Sequence, residues 1–442
     1  MIPRRPTERG RLNFFRCDGK RRVGVPVLLA LFCGLGAHAA LASPKDVAPT
    51  VIIISMDGVR HDAVGEEGLP GFARILAEGA RARALVPVFP SSTFPNHVSL
   101  ATGAPTDRHG IVGNRFRDRE RGSFDYDNDA SWIQAEPLWV AAERQGRRAA
   151  TFYWVGSETA WRGVSPTYRR APFSSDTPEG EKVRQILAWL DLPPERRPQL
   201  VMSWWHGSDH AAHRHGPESG PVRAALAGQD EALRGLLRGL DERAAWHSTT
   251  LYVVSDHGMT TATELVDPVA ALSSAGVYAE VTYGMAVAHA FSEHEQVRAR
   301  VLRIWNDLPG VVAYRQRELP AALRFTHPSR TGDVVALVSP PARFAPQSAW
   351  RRGAARVLSW FGSTVGAHGY DPAQVPDMGG IWLAMGRGIA PAQLAPAASV
   401  LDVAASAARL LGIEPPRHSE GRVRDAFAGG ADATLLRTEE PR

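Results

Sequence analysis

Cysteine is almost missing. The 442 residues hold two, Cys17 and Cys33, both within the first 42 positions. Without that segment the chain has no thiol. This excludes a disulfide framework, a thiolate metal site and a cysteine nucleophile. Lysine is scarce too: Lys20, Lys45 and Lys182 stand alone among the arginines. A net charge of +5 invites a nucleic-acid partner, but its distribution does not. Residues 1–42 carry eight cations and two anions, a net of +6, so the remaining 400 residues sum to −1. No basic stripe is left for a nucleic-acid duplex. No internal repeat is visible.

What is there begins with a leader. A basic stretch ends at Arg22, the apolar run VGVPVLLALFCGLGAHAALA follows, and small-residue A-x-A patterns end at Ala39 and Ala42. This pattern predicts a secretory signal over residues 1–42 and delivery to a periplasm or the exterior. Rich in Gly and Ala, the run makes a poor permanent span, so no stable membrane insertion is expected once the signal is cleaved. An uncleaved N-terminal anchor is the alternative.

Beyond residue 49, apolar runs alternate with helix-like segments. The runs are 50–55, 147–154, 199–205, 249–255 and 379–385, and between them lie segments such as EKVRQILAWLD and VRAALAGQDEALRGLLRGLDER. Continuous apolar strands separated by helices predict an α/β fold: a mostly parallel central sheet covered on both faces. Residues 259–367 break the alternation with YAEVTYGMAVAHAF, EQVRARVLRIWNDL and GDVVALVSP, which read as a small α+β insertion. The expected organisation is a catalytic core over 43–258 and 368–425, the insertion between them, and a tail over 426–442.

Ligands of such sheets gather beyond the carboxyl ends of the strands. Asp57 follows the first run, Asp256 and His257 follow TTLYVVS, and HGSDHAAH after QLVMSWW places Asp209 and His213 four residues apart. That spacing sets both on one face if the segment is helical. His206, His210 and His215 compete nearby, and GAHGYDP adds His368. Taken singly, an Asp after a strand is a turn or cap residue. Together, three Asp and three His with no sulfur suit two divalent metals, zinc first. Thr93, in PVFPSSTFPNHVSLATG, sits where a loop becomes a helix and reads as an N-cap. Between two metals the same hydroxyl would be an activated nucleophile.

The motifs IIISMDGVR, TFPNHVSLATG, HGIVGN, EPLWVAAERQG with FYWVGSE, DHAAHRHGP, SDHGM, RTGDVVAL and GAHGYDP come in one order over about residues 50–425. In this the chain resembles type I phosphodiesterase/nucleotide pyrophosphatases, a branch of the alkaline phosphatase superfamily. The resemblance implies an alkaline-phosphatase-like fold and two zinc ions. One would be held by Asp209, His213 and His368, the other by Asp57, Asp256 and His257, with Thr93 between them as a nucleophile forming a phospho-threonine. It implies Asn114 as a donor to the phosphoryl oxygen, Phe94 against a nucleobase and Tyr168 as a second aromatic. His97 and His109 match the family pattern and are read as structural. Three departures stand out: Ser208-Asp209 replaces Pro-Asp, Ala212 replaces Gly, and MSWWHGSDHAAH lacks the acidic stretch common in the family. The expected substrate is a nucleotide phosphodiester or pyrophosphate. A lipid head-group diester cleaved in phospholipase C fashion, a phosphomonoester, and a metal-binding pseudoenzyme are the alternatives. No Cys-x-Pro-x-Arg type sequence supports sulfatase chemistry.

Overall fold

The computed structural model describes residues 48–65, 68–346 and 365–429. The leader at 1–42 and most of the expected tail lie outside the described residues. Among those described, no helix is long and apolar enough to cross a membrane.

Eight strands form the main sheet: β1 (Thr50–Met56), β2 (Ala80–Ala82), β3 (Ala149–Phe152), β4 (Tyr168–Arg170), β5 (Leu200–Trp205), β6 (Thr249–Val254), β7 (Trp382–Gly386) and β8 (Gln393–Ala395). Their spatial order is β8-β2-β7-β6-β1-β5-β3-β4. β1 lies at the centre, parallel to β5 on one side and β6 on the other. β3 and β4 extend the parallel set. β7 runs antiparallel to both β6 and β2, so the run at 379–385 gives a strand of the opposite direction. The sheet is α/β and mostly parallel, as its composition of runs predicts.

All seven residues of β1 are buried. Val51 and Ile53 join the core on one face, and Ile52, Ile54 and Met56 join it on the other. That two-sided burial is why the strand reads as an unbroken apolar run rather than an alternation. On the second face pack helices α1 (Pro70–Glu78), α3 (Glu179–Leu190) and α5 (Gly220–Glu242). α1 begins without a cap of its own. Buried Asp230 of α5 accepts the amides of Gly71 and Phe72 at 3.0 and 2.8 Å instead. On the first face lie α2 (Thr93–Thr102) and α6 (Leu401–Leu411). Helix α4 (Gly207–His215) follows β5 directly.

Ser92, and not Thr93, occupies the N-cap position of α2, and its side chain makes no capping bond. Thr93 is the first helical residue. The expectation that Thr93 caps this helix is therefore corrected, and its hydroxyl is left for another partner.

After β6, Thr260–Ala262 pairs antiparallel with Val365–Ala367 in a two-stranded ribbon. Beyond it Glu280–Tyr283, Val287–Phe291, Val334–Val338 and Val311–Arg315 form a four-stranded antiparallel sheet in that order, with helix Glu295–Asn306 buried against it through Val301 and Trp305.

Candidate metal centre and nucleophile

The strand ends deliver the candidate ligands. Asp57 directly follows β1, and its amide donates to Trp205 O at 2.9 Å. The next residue, Gly58, has φ of +70°. A Cβ there would sit 3.0 Å from the Cβ of Asp209. Glycine is what lets the two acidic loops approach so closely. Asp209 lies in the first turn of α4 and His213 one turn later. His257 and Asp256 follow β6, and His368 follows the return strand of the ribbon.

These six side chains and Thr93 are brought together. His213 Nε2 lies 3.2 Å from Asp209 Oδ1 and 3.2 Å from His368 Nε2, and His368 Nε2 is 3.8 Å from Asp209 Oδ1. His257 Nε2 lies 3.4 Å from Asp57 Oδ1 and 3.3 Å from Asp256 Oδ2. The His257 and His368 rings stack at 3.9 Å, so the two sets touch. Donor atoms of Asp209, His257 and His368 also fall within 4.8 Å of one another, as do those of Asp57, Asp256 and His257. Thr93 Oγ1 lies 3.3 Å from His257 Nε2, and the residue is buried.

The donor chemistry fits divalent cations. Each histidine donates Nδ1–H to a main-chain carbonyl: His213 to Gly366 O at 3.0 Å, His368 to Ser91 O at 3.0 Å, His257 to Gly258 O at 2.9 Å. A carbonyl only accepts, so the neutral ring turns its Nε2 lone pair into the cluster. Asp57 Oδ1, Asp209 Oδ1 and Asp256 Oδ2 are buried and accept no hydrogen bond. Buried charges without hydrogen-bond donors are costly, and divalent cations held here would satisfy all of these atoms at once.

The electrostatics of the bare cluster follow from crowding. Burial, then the carboxylates of Asp256 and Asp209, push the Asp57 carboxyl well above its usual range. Burial works against ionised Asp209 as well, but the adjacent His213 outweighs it and holds that carboxyl low. Burial also opposes the charged form of His213, and Asp209 overcomes it, so this imidazole is raised. His368 is pushed down to about 3, by burial first and by His257 second.

Asn114 Oδ1 accepts the amide of Phe94 at 2.8 Å. An amide N–H can only donate, so the side-chain oxygen must face it, and Nδ2 points away, 3.4 Å from the Tyr126 hydroxyl. Phe94 itself is 2% exposed, with Phe124 and Tyr126 edge-on against it. Tyr168 is not brought here. Its hydroxyl donates to Arg196 O and its ring lies against Trp189. Arg196 leads into the start of β5, the end of the sheet opposite Asp209. Tyr168 as the second aromatic is thus corrected. The aromatics beside the centre are Tyr126 and Phe173, which line a cleft of about 570 Å³ with Asp125, Asp127 and Glu158. No sequence motif singled these out.

His97, read as structural, meets Asp256 Oδ2 at 3.2 Å through Nδ1. Trp204, also missed, donates its indole N–H to Asp57 Oδ2 at 3.0 Å. Its signal was only a Trp pair at a strand end.

A mixed α/β sheet with this donor set at the C-terminal ends of its strands defines an alkaline-phosphatase-like hydrolase fold. The chain belongs to the type I phosphodiesterase / nucleotide pyrophosphatase family, whose model matches residues 51–371. It is 36% identical over 217 residues to an uncharacterized pyrophosphatase/phosphodiesterase of Schizosaccharomyces pombe, covering 48% of this chain and 44% of that one. Over 218 residues it is 32% identical to human ectonucleotide pyrophosphatase/phosphodiesterase family member 1, covering 48% and 24%. The matched segment spans less than half the length of these relatives. Human ectonucleotide pyrophosphatase/phosphodiesterase 5 superposes with a TM-score of 0.74 at 25% identity, covering 84% of this chain and 97% of that one. The murine protein has a TM-score of 0.75 at 24% identity, with 84% and 96% covered, and an inactive variant of it is solved in complex with AMP.

Proposed function

We propose that this protein is a two-zinc phosphodiesterase that hydrolyses nucleotide phosphodiesters or pyrophosphates through a phospho-threonine. The observation that carries the reading is the place of Thr93 Oγ1, 3.3 Å from Nε2 of His257, whose ring stacks at 3.9 Å on that of His368, so the hydroxyl lies where the two donor sets meet. Asp209, His213 and His368 would hold one cation, and Asp57, Asp256 and His257 the other. Bound there, the cations supply Lewis-acid charge that acidifies a hydroxyl and offsets negative charge on a phosphoryl group.

Thr93 Oγ then bonds to phosphorus as its proton passes to solvent water, and the alcohol or phosphate of the substrate leaves with the P–O bond electrons and takes up a proton from solvent. Water cleaves the Thr93 ester and restores the hydroxyl. Asn114, oriented by the Phe94 amide, offers Nδ2–H to a phosphoryl oxygen. The substituent that is not cleaved lies toward the Tyr126–Phe173 cleft. Export to a periplasm or the exterior belongs to the same proposal and rests on the leader pattern.

The experiment compares zinc-loaded protein on a nucleotide p-nitrophenyl ester, bis-p-nitrophenyl phosphate, p-nitrophenyl phosphate and p-nitrophenyl phosphocholine. The nucleotide ester is expected to give the highest kcat/KM. Preference for the phosphocholine ester would move the substrate class to lipid head groups.

A further inference from the structure

Trp204 is held from every side. It lies on β5 in register with Ser55 of β1. Its carbonyl accepts Lys182 Nζ–H at 2.9 Å, from a lysine with no exposed surface. Phe173 stacks on its ring at 4.6 Å and 23°, and His97 meets it edge-on at 5.2 Å. The indole therefore has one orientation, and its N–H donates to Asp57 Oδ2 at 3.0 Å. Asp57 Oδ1 is left buried without a donor, aimed at His257. A second tether acts on the same residue: Ser208 Oγ–H donates to Asp57 O at 2.7 Å.

An indole N–H only donates and does not titrate near neutral pH. It engages one carboxylate oxygen permanently and leaves the other for a cation. We propose that Trp204 is a positioning residue that confines Asp57 to a single cation-facing oxygen and so sets the affinity of the Asp57–Asp256–His257 site, and of that site alone. The inference rests on the two-metal reading above. The hydrogen bonds and ring contacts of Trp204 go to Asp57, Lys182, His97, Phe173 and His206, and not to Asp209, His213 or His368, so that set is expected to keep its affinity.

Two variants separate the N–H from the ring. Trp204→Phe removes the donor and part of the ring. Replacement by the benzothienyl isostere of tryptophan removes only the N–H, so packing and folding are kept. Zinc affinity is read by competition with a chromophoric chelator, and the fold by melting in excess zinc. Partners that orient a first ligand are worth about 10–100-fold in metal affinity. The expected result is one equivalent held as in the wild type and a second weakened by that factor, in both variants, with melting unchanged. Two equivalents bound as tightly as in the wild type by the isostere would overturn the inference. So would equal weakening of both sites, which marks a packing effect. A wild type that binds fewer than two equivalents would instead sink the two-metal reading, visible before any variant is made.

Discussion

The Nε2 atoms of His213 and His368 lie 3.2 Å apart, each ring having spent its Nδ1–H on a carbonyl. Two lone pairs facing each other beside Asp209 form an arrangement that a cation stabilises. The protein is expected to carry two zinc equivalents by elemental analysis. Asp209→Asn or His213→Ala should lower the count to one and abolish turnover. Chelation should lower the melting temperature, because a ligand at a thousand times its Kd adds about 4 kcal/mol to stability. Unchanged melting after full chelation would count against cations being held here.

Thr93 can be tested more cleanly than a helix cap would allow. Ser92 holds the cap position and makes no side-chain cap bond. Thr93→Ala therefore removes no cap, and its cost is a buried methyl and hydroxyl, about 1–2 kcal/mol. Loss of the nucleophile should lower kcat on the order of 10³-fold or more. Thr93→Ser keeps the hydroxyl and should stay within about 100-fold of wild type. Trapping a radiolabelled phosphoryl group on the wild type, and not on the Ala variant, would identify the covalent step. Alanine activity near that of the wild type would mean that water attacks directly.

Much of this site could be read before folding was considered. Asp57 and Asp256 are legible because apolar runs give way to a carboxylate within two residues, and Asp209 because it stands four residues before His213 just after such a run. The cap at Ser92 was not, since three hydroxyl residues in a row leave the helix start ambiguous by a position or two. Nor was the direction of β7: an apolar run carries no sign of which way it points, and Trp382–Gly386 closes antiparallel on β6. Tyr168 failed for a related reason. Its motif neighbours are local, but its register puts it opposite Ala150, early in β3. Trp204, Tyr126 and Phe173 meet the centre only through contacts distant in sequence.

Acid should loosen the fold through two histidines outside the centre. Burial pushes His109 down to about 3, with the Arg330 charge adding to the effect. Burial, then Arg119, pushes His289 to about 4. Geometry agrees. His109 Nδ1 accepts the amide of Ile111 at 3.1 Å, and His289 Nδ1 accepts that of Gly332 at 3.1 Å, so both rings are neutral. The unfolded imidazole titrates near about 6.5. Below that pH the unfolded chain binds more protons, so stability is full above about 6.5 and falls toward pH 4, by up to about 1.4 kcal/mol per pH unit per histidine. Urea midpoints at pH 7 and 5 should diverge less in His289→Asn than in the wild type. An equal divergence would show that His289 is protonated in the fold.

Diesters should be preferred to monoesters, and the cleft gives the reason. A monoester brings a second negative charge and no group to occupy the space beside Tyr126 and Phe173. The lining there is acidic: Asp125, Asp127 and Glu158 against Arg115, which pairs with Asp125 at 2.6 Å. Asp127 spends its oxygens on Trp132 Nε1–H and the Asp129 amide. Glu158 accepts the Phe173 amide through Oε1. Extra anionic charge is repelled by this wall, whereas a planar, neutral base with N–H donors can lie against the rings. The expected preference in kcat/KM for a nucleotide p-nitrophenyl ester over p-nitrophenyl phosphate is about 100-fold, or about 2.7 kcal/mol. Phe173→Ala should raise KM for the nucleotide ester and leave that for the monoester unchanged, because only the ester reaches the cleft. Equal effects on both substrates would mean that Phe173 acts through its stack on Trp204 and that the cleft does not hold the second ester group.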